Sequence, residues 1–467
     1  MNLAGKSGAN RWLWCKLALL AGLASLMLCA IGYLVWMNGR ILPGVSVAGQ
    51  PLGGLTIPEA EHRLAQYATN AQNRKIVLNF HNRTLTAIPG AIGITTDIRA
   101  TVEQAYQVGR SGPLLERLTD QWRVRRHGQS VTPVFKNNRT TLDTFFRYLE
   151  PGIAIAAVRS VVTLDTDDQL TFSDSRIGRR IVRDQLIRQL EQAVYHPAIY
   201  KLAIPVQSEM PALTQAQINY WQLNQILGSY TTQFNPTNAD RTHNLELAVN
   251  AINNVLIYPG ERFSFNDRVG PRVPASGYKE APVVVMGKLV PGVGGGVCQV
   301  STTLYNAVLM ANLKVVRRIN HSLPSAYAPL GHDATVAYDS IDFVFQNNQA
   351  TPVLIVTRMI PPNLTIAILG RKSGWESVNL ETTLMETYPY ASKDIPDPGL
   401  PKGERVKASP GSQGYKVELW RTILFPDGST KKLLENVSIY PPQPEEYKVG
   451  TKVDGKVEKA ANANTIQ

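Results

Sequence analysis

The chain opens with a long apolar stretch. No residue from Leu17 to Met37 is charged, and such a run is long enough to cross a bilayer as a helix. Its flanks carry Trp12, Trp14, Tyr33 and Trp36, and aromatic residues are enriched where helices meet the membrane surface. The pattern therefore predicts a single transmembrane helix.

The charges around this stretch predict its orientation. Lys6, Arg11 and Lys16 precede it, whereas Arg40 alone follows it closely. Because cytoplasmic flanks carry an excess of Lys and Arg, we expect residues 1–40 to form a cytoplasmic N-terminus and the helix, with all later residues outside. A cleaved signal peptide is the alternative, although the run is long for one and no small-residue cleavage site ends it.

Residues 41–212 show the mixed periodicity of an α+β region with two similar halves. The first half predicts a capped helix over residues 56–67 and an alternating strand over residues 76–80. The second half predicts a helix over residues 182–193, followed by a strand over residues 203–206.

Composition breaks divide the rest of the chain. Residues 213–372 predict an α+β domain with β-hairpins, and the proline-rich residues 373–410 predict a linker. Residues 411–451 predict a small β-rich module with a hairpin turn at residues 426–428. Residues 452–467 are polar and alanine-rich, as is typical of a disordered tail. The expected fold class is an α+β multidomain protein.

The charge balance of the chain is basic. Its 467 residues carry a formal net charge of +12, and the sequence pI is about 9.5. Such a balance is typical of proteins that meet nucleic acid, an anionic membrane surface or another anionic polymer. The predicted topology excludes nucleic acid and leaves the membrane and anionic wall polymers as partners. The most basic stretch, Arg117–His127, is either a solvated face or a contact for such a polymer.

Cysteine usage singles out one thiol. Of three cysteines, Cys15 and Cys29 fall at or within the predicted membrane segment, so Cys298 alone faces the outside. A single exported thiol has no partner for an intramolecular disulfide. Cys298 is therefore either buried and inert or retained for its reactivity.

Cys298 follows a glycine-rich turn and precedes an apolar helical pattern. Residues 292–298 are Gly-Val-Gly-Gly-Gly-Val-Cys, and Val300, Leu304 and Val308 follow at helical spacing. This pattern places Cys298 at or just before a helix N-terminus, where the helix dipole lowers the pKa of a thiol. The glycines let backbone N–H groups approach closely, as an oxyanion hole requires.

These features favour a cysteine nucleophile for acyl transfer, with two alternatives. A phosphate-binding loop needs a Lys followed by Ser or Thr, which the sequence lacks here. A buried, unreactive cysteine beside a tight turn is consistent with the same residues.

A nucleophilic cysteine needs a base, and two histidines follow it. Either His321 or His332 is a candidate, and Asp333 is placed to orient an imidazole. Two histidines without a second nearby cysteine or a His-Glu-x-x-His motif do not favour a metal site, and no cofactor is implied.

Five separated motifs resemble the VanW family. They occur in order between about residues 222 and 371, and they are the stretches 259–266, 294–307, 321–322, 333–336 and 342–343. Upstream, residues 175–180 before the capped helix resemble a peptidoglycan-binding domain that often accompanies VanW domains. Downstream, residues 411–451 resemble a short G5-type module, a β-rich domain of wall adhesion.

The resemblance implies a role at peptidoglycan. VanW-type proteins are associated with glycopeptide-resistance loci, and some members are thought to act as L,D-transpeptidases through a cysteine thioester. This implies Cys298 as the nucleophile and His321 as its base. The order departs from the better-known transpeptidase fold, in which the His closely precedes the Cys.

We therefore expect a peptidoglycan L,D-transpeptidase in which backbone N–H groups of Val297 and Cys298 hold the oxyanion. A peptidase or amidase with the same residues, and a non-catalytic wall-binding scaffold, are the alternatives. The residues expected to contact substrate are Gly295, Gly296, Gln299, Ser301, Thr302 and Arg272, of which Arg272 would pair with a carboxylate.

Overall fold

The computed structural model describes residues 7–285 and 288–452, which belong to two compact units. Unit 1 contains Met1–Ala157 and Ile177–Met210, and unit 2 contains Val158–Arg176 and Pro211–Gln467. The predicted tail lies outside the described residues from residue 453 onward. The break after Met210 lies close to the end predicted for the N-terminal region, but residues 158–176 depart from that prediction because they pack with unit 2.

The first part of the chain, up to Met210, alternates helices with short strands. The helices are α1 (Ser7–Met37), α2 (Ile57–Gln72), α3 (Ile98–Gln107), α4 (Leu114–His127), α5 (Arg139–Leu149) and α6 (Arg183–Tyr195). The strands are β1 (Val45–Val47), β2 (Gln50–Pro51), β3 (Ile76–Phe80), β4 (Arg83–Ala87), β5 (Ile94–Thr96), β6 (Gln129–Val131), β7 (Phe135–Asn137), β8 (Val162–Leu164), β9 (Leu170–Phe172), β10 (Gly178–Ile181), β11 (Lys201–Ala203) and β12 (Val206–Glu209).

Unit 1 follows the predicted pattern closely. A capping box between Thr56 and Glu59 starts α2, and Leu64 lies on its buried face. Strand β3 alternates buried and partly exposed residues and lies between β11, which runs parallel to it, and antiparallel β4. The predicted strand over residues 203–206 is instead the junction of two strands, because β11 ends at Ala203 and β12 begins at Val206. The basic stretch forms α4, whose side chains are mostly exposed.

The predicted membrane segment lies within α1. The helix begins at Ser7 rather than Leu17, so that Asn10, Arg11 and Lys16 take up its first turns. Within the described residues, no helix combines the length and the apolar character that crossing a membrane requires. The predicted transmembrane anchor is therefore not supported.

The part of the chain after Met210 is richer in strands. Its helices are α7 (Gln215–Trp221), α8 (Ala239–Ile252), α9 (Phe265–Val269) and α10 (Val297–Met310), with a 3₁₀ turn at Pro274–Ser276. Its strands are β13 (Ile226–Gln233), β14 (Val255–Ile257), β15 (Arg262–Ser264), β16 (Glu280–Val285), β17 (Lys288–Val293), β18 (Lys314–Arg317), β19 (Val344–Gln346), β20 (Val353–Ile360), β21 (Asn363–Leu369), β22 (Ser377–Tyr388), β23 (Ser392–Pro401), β24 (Arg405–Ser409), β25 (Gly414–Leu424), β26 (Thr430–Tyr440) and β27 (Glu445–Lys452).

The core of unit 2 lies between α10 and a four-stranded sheet in the order β13-β21-β20-β14. Val300, Leu304 and Val308, which the sequence placed at helical spacing, are fully buried in this core. The helix lies very close to β13, since a Cβ atom on Gly228 would sit 2.3 Å from the backbone nitrogen of Ala311. This close packing fixes the position of α10 and of the residues at its start.

The hairpin β8–β9 is tied to this core by one buried side chain. Asn254 accepts a hydrogen bond from the Val162 N–H and donates one to the Val162 carbonyl, each at 2.8 Å. Arg159 adds a 3.0 Å bond to the Asn254 carbonyl. These bonds explain why residues 158–176 pack with unit 2 although the sequence favoured the N-terminal region.

The C-terminal strands form two three-stranded sheets, in the orders β22-β25-β26 and β23-β27-β24. The predicted hairpin turn at residues 426–428 joins β25 to β26. The predicted linker over residues 373–410 is wrong, because β22, β23 and β24 lie within it. Its prolines are tolerated because β23 is an edge strand, which pairs with one neighbour only.

We predict that Asn254→Gly lowers the free energy of unfolding by about 1–3 kcal/mol, because it leaves buried backbone groups of Val162 without partners. Asn312→Gly is the matched control, since Asn254 and Asn312 share a left-handed backbone, with φ of 56° and 54°. Urea unfolding measures both variants, and hydrogen exchange of the Val162 amide reports the hairpin. Equal stability of the two variants would contradict this role of the side chain.

Candidate active site

The glycine run before Cys298 sets the start of α10. Gly294 and Gly296 have φ of 83° and 108°, which side chains disfavour. A Cβ atom at Gly295 would lie 2.5 Å from the Ala281 carbonyl oxygen. The predicted glycine positions therefore shape the turn, and Cys298 becomes the second residue of the helix.

First-turn amides have no acceptor within their own helix, and this makes them candidates for binding an oxyanion. The Val297 N–H donates to the Gly294 carbonyl at 3.3 Å, so one of the two predicted oxyanion donors is already engaged. Of these two N–H groups, that of Cys298 is therefore the better candidate for binding the oxyanion.

The Cys298 thiol lies half-buried among polar partners. In the thiol form its Sγ donates to the Val336 carbonyl at 3.4 Å, and His321 lies close enough to act on the thiol through hydrogen bonding and charge. Burial raises the pKa of the thiol, but the hydrogen bond and the charge of His321, together with the charge of Arg272, outweigh burial and lower the pKa. The environment therefore favours the thiolate.

His321 lies between Cys298 and Asp333. Its Nδ1 is 2.6 Å from Asp333 Oδ2, and the same oxygen accepts the His321 backbone N–H at 2.6 Å. This contact places the proton on Nδ1 and leaves Nε2 for the thiol. Burial alone would lower the pKa of His321. The interactions with Asp333 and Cys298 outweigh burial and raise the pKa to about 9. Because the pKa of Cys298 is lowered and that of His321 is raised, the two side chains form a thiolate–imidazolium pair at neutral pH.

His332, the other candidate base, belongs to a different set of contacts. Its Nδ1 is 2.7 Å from Asn306 Oδ1, and its Nε2 is 3.2 Å from Thr382 Oγ1. Burial and the nearby Arg318 lower its pKa to about 4, so it is neutral at physiological pH. Of the two histidines, His321 is therefore the one whose ring lies beside both Asp333 and the Cys298 thiol.

Three of the predicted substrate contacts are buried supports of α10 instead. Gln299 donates to Thr232 and to the Gln233 carbonyl, both at 2.9 Å. Ser301 donates to the Ala334 carbonyl at 2.7 Å, and Thr302 accepts the Ala334 N–H at 3.0 Å. Ser301 and Thr302 thus hold the segment before Val336 against the helix, whereas Gln299 joins the helix to the end of β13.

Arg272 lies close enough to Cys298 for their charges to interact. Its Nη1 donates to Asn266 Oδ1 at 2.7 Å, and the guanidinium lies 5.5 Å from the Phe265 ring centroid. Among the described residues, its buried Nη2 has no hydrogen-bond partner. One N–H group of the guanidinium is therefore without an acceptor among the described residues.

Two further residues, to which no role was assigned from the sequence, belong to the site. The Tyr327 hydroxyl lies 3.5 Å from His321 Nε2, and burial and the charge of Cys298 raise its pKa. Arg241 donates to Gln299 Oε1 at 2.7 Å, and its charge interacts with Cys298. Both residues lie inside the motif-bearing region. No pattern in the sequence indicated that they lie near Cys298 and His321 in the folded chain.

Three family models match the chain in order. "Putative peptidoglycan binding domain" matches residues 86–196, "VanW like protein" residues 240–369 and "G5 domain" residues 380–452. The second range contains Cys298, His321 and Asp333. The third begins earlier than the module predicted over residues 411–451, in agreement with the strands found there.

Two curated proteins are similar to this chain. "Uncharacterized protein YoaR" of Bacillus subtilis (strain 168) is 36% identical over 224 residues, which cover 48% of this chain and 72% of that protein. "Vancomycin B-type resistance protein VanW" of Enterococcus faecalis (strain ATCC 700802 / V583) is 34% identical over 114 residues, which cover 23% of this chain and 42% of that protein.

Solved G5 structures also match a short part of the chain. "IgA1 Protease G5 domain structure" is 22% identical, covers 16% of this chain and 89% of its own, and has a TM-score of 0.14. "Crystal structure of HP0197-G5" is 19% identical, covers 16% and 100%, and has a TM-score of 0.11. TM-scores this low support no argument about the fold.

We predict that Cys298 reacts with iodoacetamide well below pH 8, because its pKa is lowered while His321 keeps its proton up to about pH 9. The measurement uses a Cys15→Ser, Cys29→Ser background, so that Cys298 is the one thiol labelled. In that background, His321→Ala should move the pH–rate profile to higher pH. A wild-type profile with the midpoint of an ordinary thiol would contradict the ion pair.

Proposed function

The chain belongs to the VanW family, and from this premise we propose that it is a cysteine-dependent L,D-transpeptidase of peptidoglycan. It is a cell-wall-associated protein, with a VanW domain between a peptidoglycan-binding domain and a G5 domain. The observation that supports catalysis is the connected set Cys298–His321–Asp333 at the start of a buried helix.

In the first step, the Cys298 thiolate attacks a carbonyl carbon of a stem peptide and a thioester forms. The C–N bond of the amide breaks, and the amine leaves with the proton that His321 supplies from Nε2. The developing oxyanion lies within reach of the first-turn amides of α10, with the Cys298 N–H as the main donor.

In the second step, the amino group of an acceptor stem attacks the thioester. His321 takes the proton from this amine, the new amide forms, and Cys298 leaves as the thiolate. No cofactor enters either step. Asp333 keeps the proton on Nδ1 of His321 through both steps, because its carboxylate stays ionised: hydrogen bonding and the charges of Arg318 and His321 overcome burial and lower its pKa.

Arg272 is proposed to pair with a carboxylate of the stem peptide. Its Nη2 has no partner among the described residues, and Arg binds carboxylates through two parallel N–H groups. The charges of Arg272 and Arg241 both act on Cys298, so the site attracts an acidic peptide as well as stabilising the thiolate.

The remaining parts of the chain fit a protein that works on the wall. We propose that it acts outside the cytoplasm, where peptidoglycan lies. The exposed basic side chains of α4, which falls within the peptidoglycan-binding match, are proposed to contact anionic wall polymers.

We predict that Cys298→Ala abolishes 3-3 cross-links, with a loss of more than about 1,000-fold in rate, and that His321→Ala loses nearly as much because a coupled pair fails together. His332→Gln is the matched control, since this histidine contacts Asn306 and Thr382 rather than the thiol. Muropeptide analysis by mass spectrometry measures the products.

Three outcomes of this experiment are distinct. Normal cross-linking by Cys298→Ala at matched abundance would contradict the enzyme and leave a non-catalytic wall-binding scaffold. Cys298-dependent release of shortened stems without cross-links would identify a peptidase or amidase, in which water resolves the thioester. Loss of cross-links in His332→Gln, equal to the loss in His321→Ala, would contradict the assignment of the base.

A further inference from the structure

The two oxygens of the Asp333 carboxylate have different partners. Oδ2 serves the His321 ring and backbone, each at 2.6 Å, as described above. Oδ1 accepts from Arg318 at 3.0 Å and from the Tyr440 hydroxyl at 2.5 Å. Tyr440 is 1% exposed and closes β26, so it lies within the range that the G5 family model matches and outside the VanW range.

Tyr440 is the last member of a polar row along β26. Side chains two residues apart on a strand share a face, and Asn436, Ser438 and Tyr440 all turn toward the VanW domain. The alternate residues, Val437 and Ile439, are exposed. Over residues 436–440 the strand is therefore polar on its buried face and apolar on its exposed face, the reverse of the usual pattern.

Each member of this row bonds to a segment around the catalytic residues. Ser438 accepts from Arg318 at 2.7 Å, the cation that also holds Asp333. Asn436 donates to the Gly331 carbonyl at 3.1 Å, and the Tyr440 hydroxyl accepts the Gly331 N–H at 2.8 Å. The row thus holds both the Asp333 side chain and the backbone two residues before it.

We propose that the G5 domain of this chain is an integral part of the VanW active site, with Tyr440 as the positioning residue that fixes Asp333. This inference rests on the catalytic roles proposed for Cys298, His321 and Asp333. The hydroxyl of Tyr440 and the guanidinium of Arg318 approach the same oxygen, and together they prevent the carboxylate from rotating. Its other oxygen then stays aimed at His321 Nδ1.

A module that adheres to the wall independently of the enzyme would need no such contacts. Here a strand of the G5 match supplies buried polar groups to the site, and their loss would leave a buried carboxylate under-satisfied. Without the Tyr440 hydroxyl the carboxylate gains freedom, its contact with His321 weakens, and the thiolate loses part of its cationic partner.

The test uses Tyr440→Phe in the full-length chain, which removes one hydroxyl and keeps the ring. In the background that retains Cys298 as the one cysteine, we expect iodoacetamide labelling at pH 7 to slow about tenfold, which corresponds to a shift of about one pH unit in the rate profile. Tyr415→Phe is the matched control, because Tyr415 pairs with Tyr440 across the β25–β26 register but its hydroxyl is not among the hydrogen-bond partners found for Asp333 in the described residues. It should label at the wild-type rate.

A second variant, Ser438→Ala, removes the acceptor that orients Arg318, and it should shift the profile in the same direction by a smaller amount. Thermal unfolding accompanies each measurement. Wild-type labelling profiles for both Tyr440→Phe and Ser438→Ala, in folded protein, would overturn the proposal. Should Tyr440→Phe fail to fold, Ser438→Ala alone decides.

The readout is separable from the proposed function. The labelling rate reports the state of the thiol and does not require transpeptidation. A chain that makes no cross-links but shows the tenfold effect of Tyr440→Phe would contradict the transpeptidase and support the positioning role. If Tyr440→Phe makes cross-links as well as the wild type and its labelling rate is unchanged, the transpeptidase is supported and the positioning role is contradicted.

Discussion

The site depends on one buried carboxylate. Asp333 is 1% exposed, and an ionised carboxylate at such a position is tolerated only when hydrogen bonds and an opposite charge replace its water. Its two oxygens divide this requirement between a catalytic partner, His321, and structural partners, Arg318 and Tyr440. The protonation of the His321 ring, and through it the charge on Cys298, depends on how the Asp333 carboxylate is hydrogen-bonded.

The same requirement joins two parts of the chain that family models treat as separate domains. Helix α10 presents Cys298 and the segment after β18 presents His321 and Asp333, but the groups that fix Asp333 come partly from β26. Burying polar side chains on one face of β26 is costly unless each has a partner, and Asn436, Ser438 and Tyr440 all find theirs in the VanW range. Removal of the C-terminal strands would therefore uncover the site as well as shorten the protein.

The features that the sequence predicted well are those that a short segment determines. The glycine run, the helical spacing after it and the adjacent His321 and Asp333 are local signals, and they placed Cys298 correctly at a helix start. Tyr440 stands 107 residues from Asp333, and no periodicity along the chain connects them. The linker predicted over residues 373–410 was wrong because a strand's position in a sheet also depends on distant residues. Prolines interrupt the strand pattern of a sequence both in a linker and in an edge strand such as β23, so the sequence does not distinguish the two.

The protonation state of His321 tests this account most directly. Nitrogen-15 NMR of the imidazole in the full-length chain distinguishes a ring protonated on both nitrogens from either neutral tautomer. We predict that His321 carries both protons at neutral pH and titrates near 9, because Asp333 and the Cys298 thiolate stabilise the cation. Titration near 6.5, the ordinary value for histidine, with a neutral ring at pH 8, would contradict it.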